Sequence, residues 1–222
     1  VMMLPMFSSL HLSFILAWFI QMGIHEGAHA WAAWRCGDDT AYLLGKRTID
    51  PLKHINWTEF NSVMLGVILP VMTAARGVPM GMAWVPVNPL RFRRMRRDHA
   101  IVAAAGPLSN FALALLLLGL NVVAVHYLYP FLDASKATAI EILLYAVYKT
   151  SIIYGIFNAI PLPPLDGSRV LYYFLPPQLR QVMDDMEPYG FWILILLFAF
   201  HQGDRVIIPA VRFFEMLWVM AP

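Results

Sequence analysis

The sequence predicts an all-α polytopic membrane protein: a helical bundle with a small membrane-associated β element and one re-entrant segment. Three observations predict this class. Hydrophobic residues make up 59% of the 222 residues, charged ones only 14%, and the mean hydropathy is +0.61. A soluble domain is about half apolar and about a quarter charged. The apolar residues fall in long runs, and the basic residues gather in two loops between them. The net charge of +2 says little by itself. Beside apolar helices, basic loops read as cytoplasmic loops of a membrane protein rather than a nucleic-acid patch, so the expected surroundings are a lipid bilayer and no nucleic acid. The single cysteine, Cys36, excludes an internal disulfide and a Cys-rich zinc site.

The first apolar run begins near Phe7 and reads as a helix to Trp34. At ~1.5 Å per residue it is long enough to cross a bilayer. Arg35, Gly37, Asp38 and Asp39 end it at a water interface, where Trp31 and Trp34 fit an aromatic belt. The N-terminal stretch lacks a positive n-region, so it is not expected to be a cleaved signal. Ala41 to Asn56 is polar and reads as irregular or short-strand material, with a turn at Gly45. Val63 to Ala75 is short for a span and contains Pro70. Basic residues flank it on both sides: Lys46, Arg47 and Lys53 before it, and Arg91, Arg93, Arg94, Arg96 and Arg97 after it. Both loops belong on the cytoplasmic side, so a re-entrant segment is expected in preference to a full span.

Val78 to Leu90 is punctuated by Pro79, Gly81, Pro86 and Pro89, which excludes a helix interior and favours an extended edge segment. Two further long helices follow, His99 to Tyr127 and Ala137 to Ile160, joined by a short outer loop. A dense turn, Pro161 to Gly167, and a polar stretch, Arg169 to Glu187, come next. The last apolar region, Phe191 to Val219, is interrupted at His201 to Arg205, which allows one broken helix or two.

The chemistry is concentrated in His25-Glu26-Gly27-Ala28-His29. Residues four apart lie one turn apart on one helix face, so both imidazoles can hold one zinc ion. Glu26 is not placed as a ligand; its direction suits a general base beside that ion. Titratable groups within an apolar helix are costly, so they point to a function. A catalytic zinc takes three protein ligands as a rule. The candidates for the third are Asp38, Asp39, Asp50, Asp98, Asp166, Asp204 and the remaining histidines. Depth favours Asp166, because it follows an inward-running helix and reaches the level of His25 and His29. As the first member of an Asp-Gly pair it is also a natural turn residue, and spacing alone leaves both readings open. His54, His99, His126 and His201 are read as ordinary interfacial or helix-end histidines.

His25-Glu26-x-x-His29, followed by Asn158-x-x-Pro161-x-Pro163-Pro164-Leu165-Asp166-Gly167, resembles the site-2 protease family of intramembrane zinc metalloproteases. Gly45 to Ile55, Pro86 to Pro89 and Ala105-Gly106-Pro107-Leu108-Ser109-Asn110 resemble its compact bacterial and archaeal branch, without PDZ or CBS domains. The resemblance implies that residues 1–222 form one transmembrane metalloprotease domain. It implies zinc held by His25, His29 and Asp166, catalysis by Glu26, and substrate contacts from Asn158 and Asn110. It implies a multi-pass protein of a prokaryotic cell membrane, with its site toward the cytoplasm and transmembrane proteins as substrates. Two rival functions stand beside this one: a catalytically silent membrane scaffold or chaperone, and a transporter with zinc as cargo. The intact His25, Glu26, His29 and Asp166 speak against the first, and the scarcity of polar residues along the later long helices speaks against the second.

Overall fold

Apolar length and capping residues divide the chain into helices. The structure, a computed structural model, describes residues 9–200 and 204–220. The first helix, α1 (Ser9–Cys36), has 28 residues. A short turn of helix, α2 (Thr40–Leu43), follows it. Next come α3 (Phe60–Ala74), α4 (Met95–Tyr127) and α5 (Ala134–Ala159). The chain closes with α6 (Asp166–Phe174), α7 (Pro177–Met186), α8 (Gly190–Ala199) and α9 (Asp204–Met220).

Helices α4 and α5 are both long and apolar enough to cross a membrane. Helix α1 has the length, but Gln21, His25, Glu26 and His29 lower its apolar character. Helix α4 starts earlier than expected, at Met95, because Asp98 in its first turn takes the Arg94 N–H at 2.8 Å and the Arg97 guanidinium at 2.7 Å. A carboxylate there also suits the helix dipole. Helix α5 starts at Ala134 because Asp133 accepts the Lys136 N–H at 3.0 Å.

Helices α1, α4 and α5 pack against one another, and α9 packs on α5. Ala17, Ala114 and Ala146 are essentially unexposed where they meet, and small side chains there allow close helix approach. Polarity is inverted relative to a soluble bundle. Gln21, His25, Glu26, His29, Asn110 and Asn121 are buried, whereas Leu12, Leu16, Leu115 and Leu116 are exposed. This is the distribution a lipid solvent would favour, because lipid satisfies no hydrogen bonds.

No strand occurs among the described residues, which corrects the expected β element. Asp38 accepts the Thr40 N–H at 3.0 Å just ahead of helix α2, which forms in the stretch read as irregular or short-strand. Asp50 then caps a 3₁₀ turn at Pro51–Lys53. Residues 79–88 have no regular structure, since no neighbouring strand pairs with them. The Val63 to Ala75 expectation falls within α3, which at ~1.5 Å per residue is about 22 Å long, short of the ~30 Å a span needs. Pro70 has no N–H, and the turns before it open into a π-helix over Met64–Ile68. The carbonyls this releases find outside partners. Trp18 Nε1 donates to Gly66 O at 2.8 Å, and Met82 N donates to Leu65 O at 3.1 Å.

The polar stretch after the dense turn is helical (α6 and α7), and the last apolar region contains two helices, α8 and α9. The expectations for His201 and for the first eight residues lie outside the described residues, as does the side chain of Asp204.

The indole of Trp18 is 2% exposed, so Trp18→Phe should leave Gly66 O buried without a donor. We expect a loss of about 1–3 kcal/mol, read as a lower thermal midpoint in detergent; an unchanged midpoint would contradict this account of the π-helix.

Candidate metal centre

Helix α1 carries His25 and His29 one turn apart, with their rings edge to face at a centroid distance of 4.7 Å. The turn after α5 brings Asp166 to them. Gly167 makes this possible: a Cβ there would collide with the Ala159 carbonyl, so only glycine lets α6 start against the end of α5. The Asp166 Oδ2 lies 3.2 Å from His25 Nε2 and 3.3 Å from His29 Nε2, and the two Nε2 atoms are 3.1 Å apart.

The triangle fits a zinc ion. With ligand bonds of about 2.0–2.1 Å, two donors on a tetrahedral ion stand about 3.3–3.4 Å apart, close to the three observed separations. The donor set of two imidazoles and one carboxylate also suits zinc. His29 Nδ1 donates to the Val102 carbonyl at 2.7 Å, which leaves the Nε2 lone pair facing the triangle. Among the described residues His25, His29 and Asp166 form the one cluster of this kind. The other aspartates weighed as ligands do different work: Asp38 and Asp98 tie loops and helix ends, Asp39 pairs with Arg91, and Asp50 caps a turn.

Gly106 on α4 faces both rings. A Cβ there would collide with His29 Nε2 and stand 2.6 Å from His25 Cε1, so the space in front of the metal-facing nitrogen depends on this glycine. The motif around Gly106 reads in sequence only as close helix approach. Its closest neighbours prove to be imidazoles.

A cleft of about 360 Å³ opens over the triangle. Glu26, 6% exposed, lines it together with Asn158, Gln21 and the strap formed by residues 79–88. The Val85 main chain lies beside the Glu26 carboxylate. The strap is fastened at both ends. Tyr154 OH accepts from Gly81 N and donates to Pro79 O, each at 3.0 Å, and Asn88 N donates to Asp38 Oδ2 at 2.6 Å. Between these anchors, the main chain of Ala83, Trp84 and Val87 makes no hydrogen bond among the described residues. Asn158 donates to its own helix at Tyr154 O, 3.2 Å, and reaches the cleft. Asn110 does not reach it; this side chain is fully buried against His25.

Sequence reasoning missed Gln21, Tyr154 and the Val102 carbonyl. Gln21 lies one turn before His25 on the same face, and that spacing in an apolar run was the available signal. Its Oε1 is buried without a partner.

Comparison with known proteins fits the donor set. No protein-family model matches the chain, and no solved structure matches it. It is 31% identical over 198 residues to a Bacillus subtilis protein named "Putative zinc metalloprotease YwhC", covering 88% of this chain and 84% of that one. The chain belongs to this zinc metalloprotease family. Two mycobacterial relatives carry the same description under the name Rip2. The Mycolicibacterium smegmatis protein is 29% identical over 209 residues, 92% of this chain and 71% of its own. The Mycobacterium tuberculosis H37Rv protein is 29% identical over 185 residues, 83% and 65%.

Gly106→Ala should push methyl carbon into the ring nitrogens. The expected outcome is a loss of zinc affinity of about tenfold or more, about 1.4 kcal/mol, measured by competition with a chromophoric chelator. Wild-type affinity would mean that the rings have room the structure denies them.

Proposed function

We propose that the protein is a polytopic intramembrane zinc endopeptidase of the site-2 protease type, carried by one domain. It cuts membrane-anchored proteins within or beside their transmembrane segments, from the cytoplasmic side. The observation that carries this reading is the donor triangle set beside Glu26, inside a bundle whose polar residues point inward. The family supports the protease chemistry, and the two membrane-length helices support the location.

His25, His29 and Asp166 hold the zinc. When bound, the ion supplies the Lewis acidity that makes water nucleophilic near neutral pH and polarises a peptide carbonyl. Glu26 lines the same cleft, takes a proton from the attacking water and returns it to the departing amine. Asn158 contacts the substrate main chain from the wall that Asp166 ends. A transmembrane helix hides its scissile carbonyl, so the substrate must unwind, and its freed N–H and C=O groups then need partners. The unpaired main chain of Ala83, Trp84 and Val87 offers them as an added edge. Gln21 Oε1 offers one more acceptor. The strap is thus the nearest thing to the β element the sequence suggests, and a substrate would complete it.

Glu26→Gln should reduce cleavage of single-span membrane peptides about 10²–10⁴-fold while zinc content stays at the wild-type level. Chelation of the metal should stop wild-type cleavage, and added zinc should restore it. A Glu26→Gln protein that cuts as fast as wild type would overturn the enzyme reading in favour of the scaffold.

Ala83→Pro removes one strap donor. Cleavage should fall roughly fivefold, the equivalent of about 1 kcal/mol, with zinc retained. Unchanged cleavage of a helical substrate would remove the edge-pairing step.

A further inference from the structure

Zinc ligation by an imidazole nitrogen requires that nitrogen to carry a lone pair, and a neutral imidazole has one protonated and one bare nitrogen. His25 Nε2 faces Asp166 Oδ2 and His29 Nε2, so as a ligand His25 must keep its proton on Nδ1. Buried on α1, that N–H then needs an acceptor. For His29 the acceptor is the Val102 carbonyl. For His25 the neighbour is Asn110, fully buried on α4, with Nδ2 at 3.1 Å from Nδ1. The other half of that carboxamide, Oδ1, is buried with no hydrogen-bond partner. A half-turn about the last side-chain bond exchanges Oδ1 and Nδ2 with almost no change of shape. It gives His25 Nδ1–H its acceptor and Oδ1 its donor. The Gly106 carbonyl, which accepts from Ser109 Oγ at 2.7 Å, also approaches the His25 ring.

We propose that Asn110 is a positioning residue: its carboxamide oxygen holds His25 in the Nδ1–H form and so aims the Nε2 lone pair at the metal. The sequence resemblance placed Asn110 among substrate contacts; full burial outside the cleft gives it this other role. The inference rests on the zinc reading above but not on protease activity.

The test is zinc affinity of purified full-length protein in detergent, stripped and titrated against a chromophoric chelator. Wild type, Asn110→Asp and Asn110→Leu are compared, with helicity and thermal midpoint read alongside. A carboxylate still accepts from Nδ1–H, whereas leucine has similar volume and no acceptor. Asn110→Leu should weaken zinc binding about 10–100-fold, and Asn110→Asp should stay within a few-fold of wild type. A purely structural role predicts the opposite order, because burying a charge harms packing more than an isosteric apolar side chain does. Wild-type affinity in Asn110→Leu, or equal loss in both variants, would overturn the proposal. If the leucine variant does not fold, Asn110→Ala, which also lacks the acceptor, decides on the same readout. Wild-type protein that binds no zinc would sink the metal reading itself, whereas zinc binding without cleavage would sink only the protease reading.

Discussion

Three donor atoms stand within 3.1–3.3 Å of one another around Asp166 Oδ2, and they come from segments remote in sequence. Much of the surrounding architecture follows from bringing them together. Helix α1 packs against both α4 and α5, and His25 and His29 are buried there. Helix α5 must end at the depth of His25, because Asp166 follows it after one tight turn. Helix α4 must present a residue without a side chain to both rings. Buried polar groups left without partners are costly, which makes these conditions strict.

The same rule explains the strap. Pro70 interrupts the hydrogen-bond ladder of α3 and frees carbonyls that then need other donors. The indole of Trp18 and the main chain of Met82 supply the missing donors. One proline therefore fastens α3 to α1 and brings residues 79–88 over the cleft. Tyr154 and Asp38 hold the strap at its two ends, so its middle is suspended with unused main-chain groups. A segment that looks irregular in isolation acquires a defined path from its anchors.

The legible parts of the sequence were those governed by local rules. The long helices could be read from apolar length, and the pairing of His25 with His29 from helical periodicity. The approach of Asp166 could be argued only from depth and from resemblance, because no spacing rule connects residues so far apart. The short-strand alternative for Ala41 to Asn56 is not met among the described residues, and the reason is local. Gly45 signals a turn, but the Asp38 carboxylate, which accepts the Thr40 N–H just ahead of helix α2, lies outside the stretch being read. At residues 79–88 the prolines indicated extended chain but could not supply a partner strand. Gly106 carried the least information in sequence, because what a glycine does depends on what stands opposite it.

These contacts divide the centre into two halves with different physical duties. The metal-facing half is built from helices and a glycine-fixed turn, and its polar atoms are held by Val102, Asn110 and the opposing donors. The other half is a strap in which the main chain of Ala83, Trp84 and Val87 has no hydrogen bond among the described residues, with Asn158, Gln21 and Glu26 across from it. A rigid donor set favours one ion in one geometry, while an unpaired main chain can accept many sequences, because every peptide offers the same N–H and C=O groups. Metal affinity and substrate choice then rest on different elements. Glu26 is the one side chain that belongs to both halves: α1 fixes it beside the imidazoles, and Val85 of the strap lies against its carboxylate. On the proposed function, a substrate laid along the strap would lie beside Glu26, and recognition would be coupled to chemistry through that side chain.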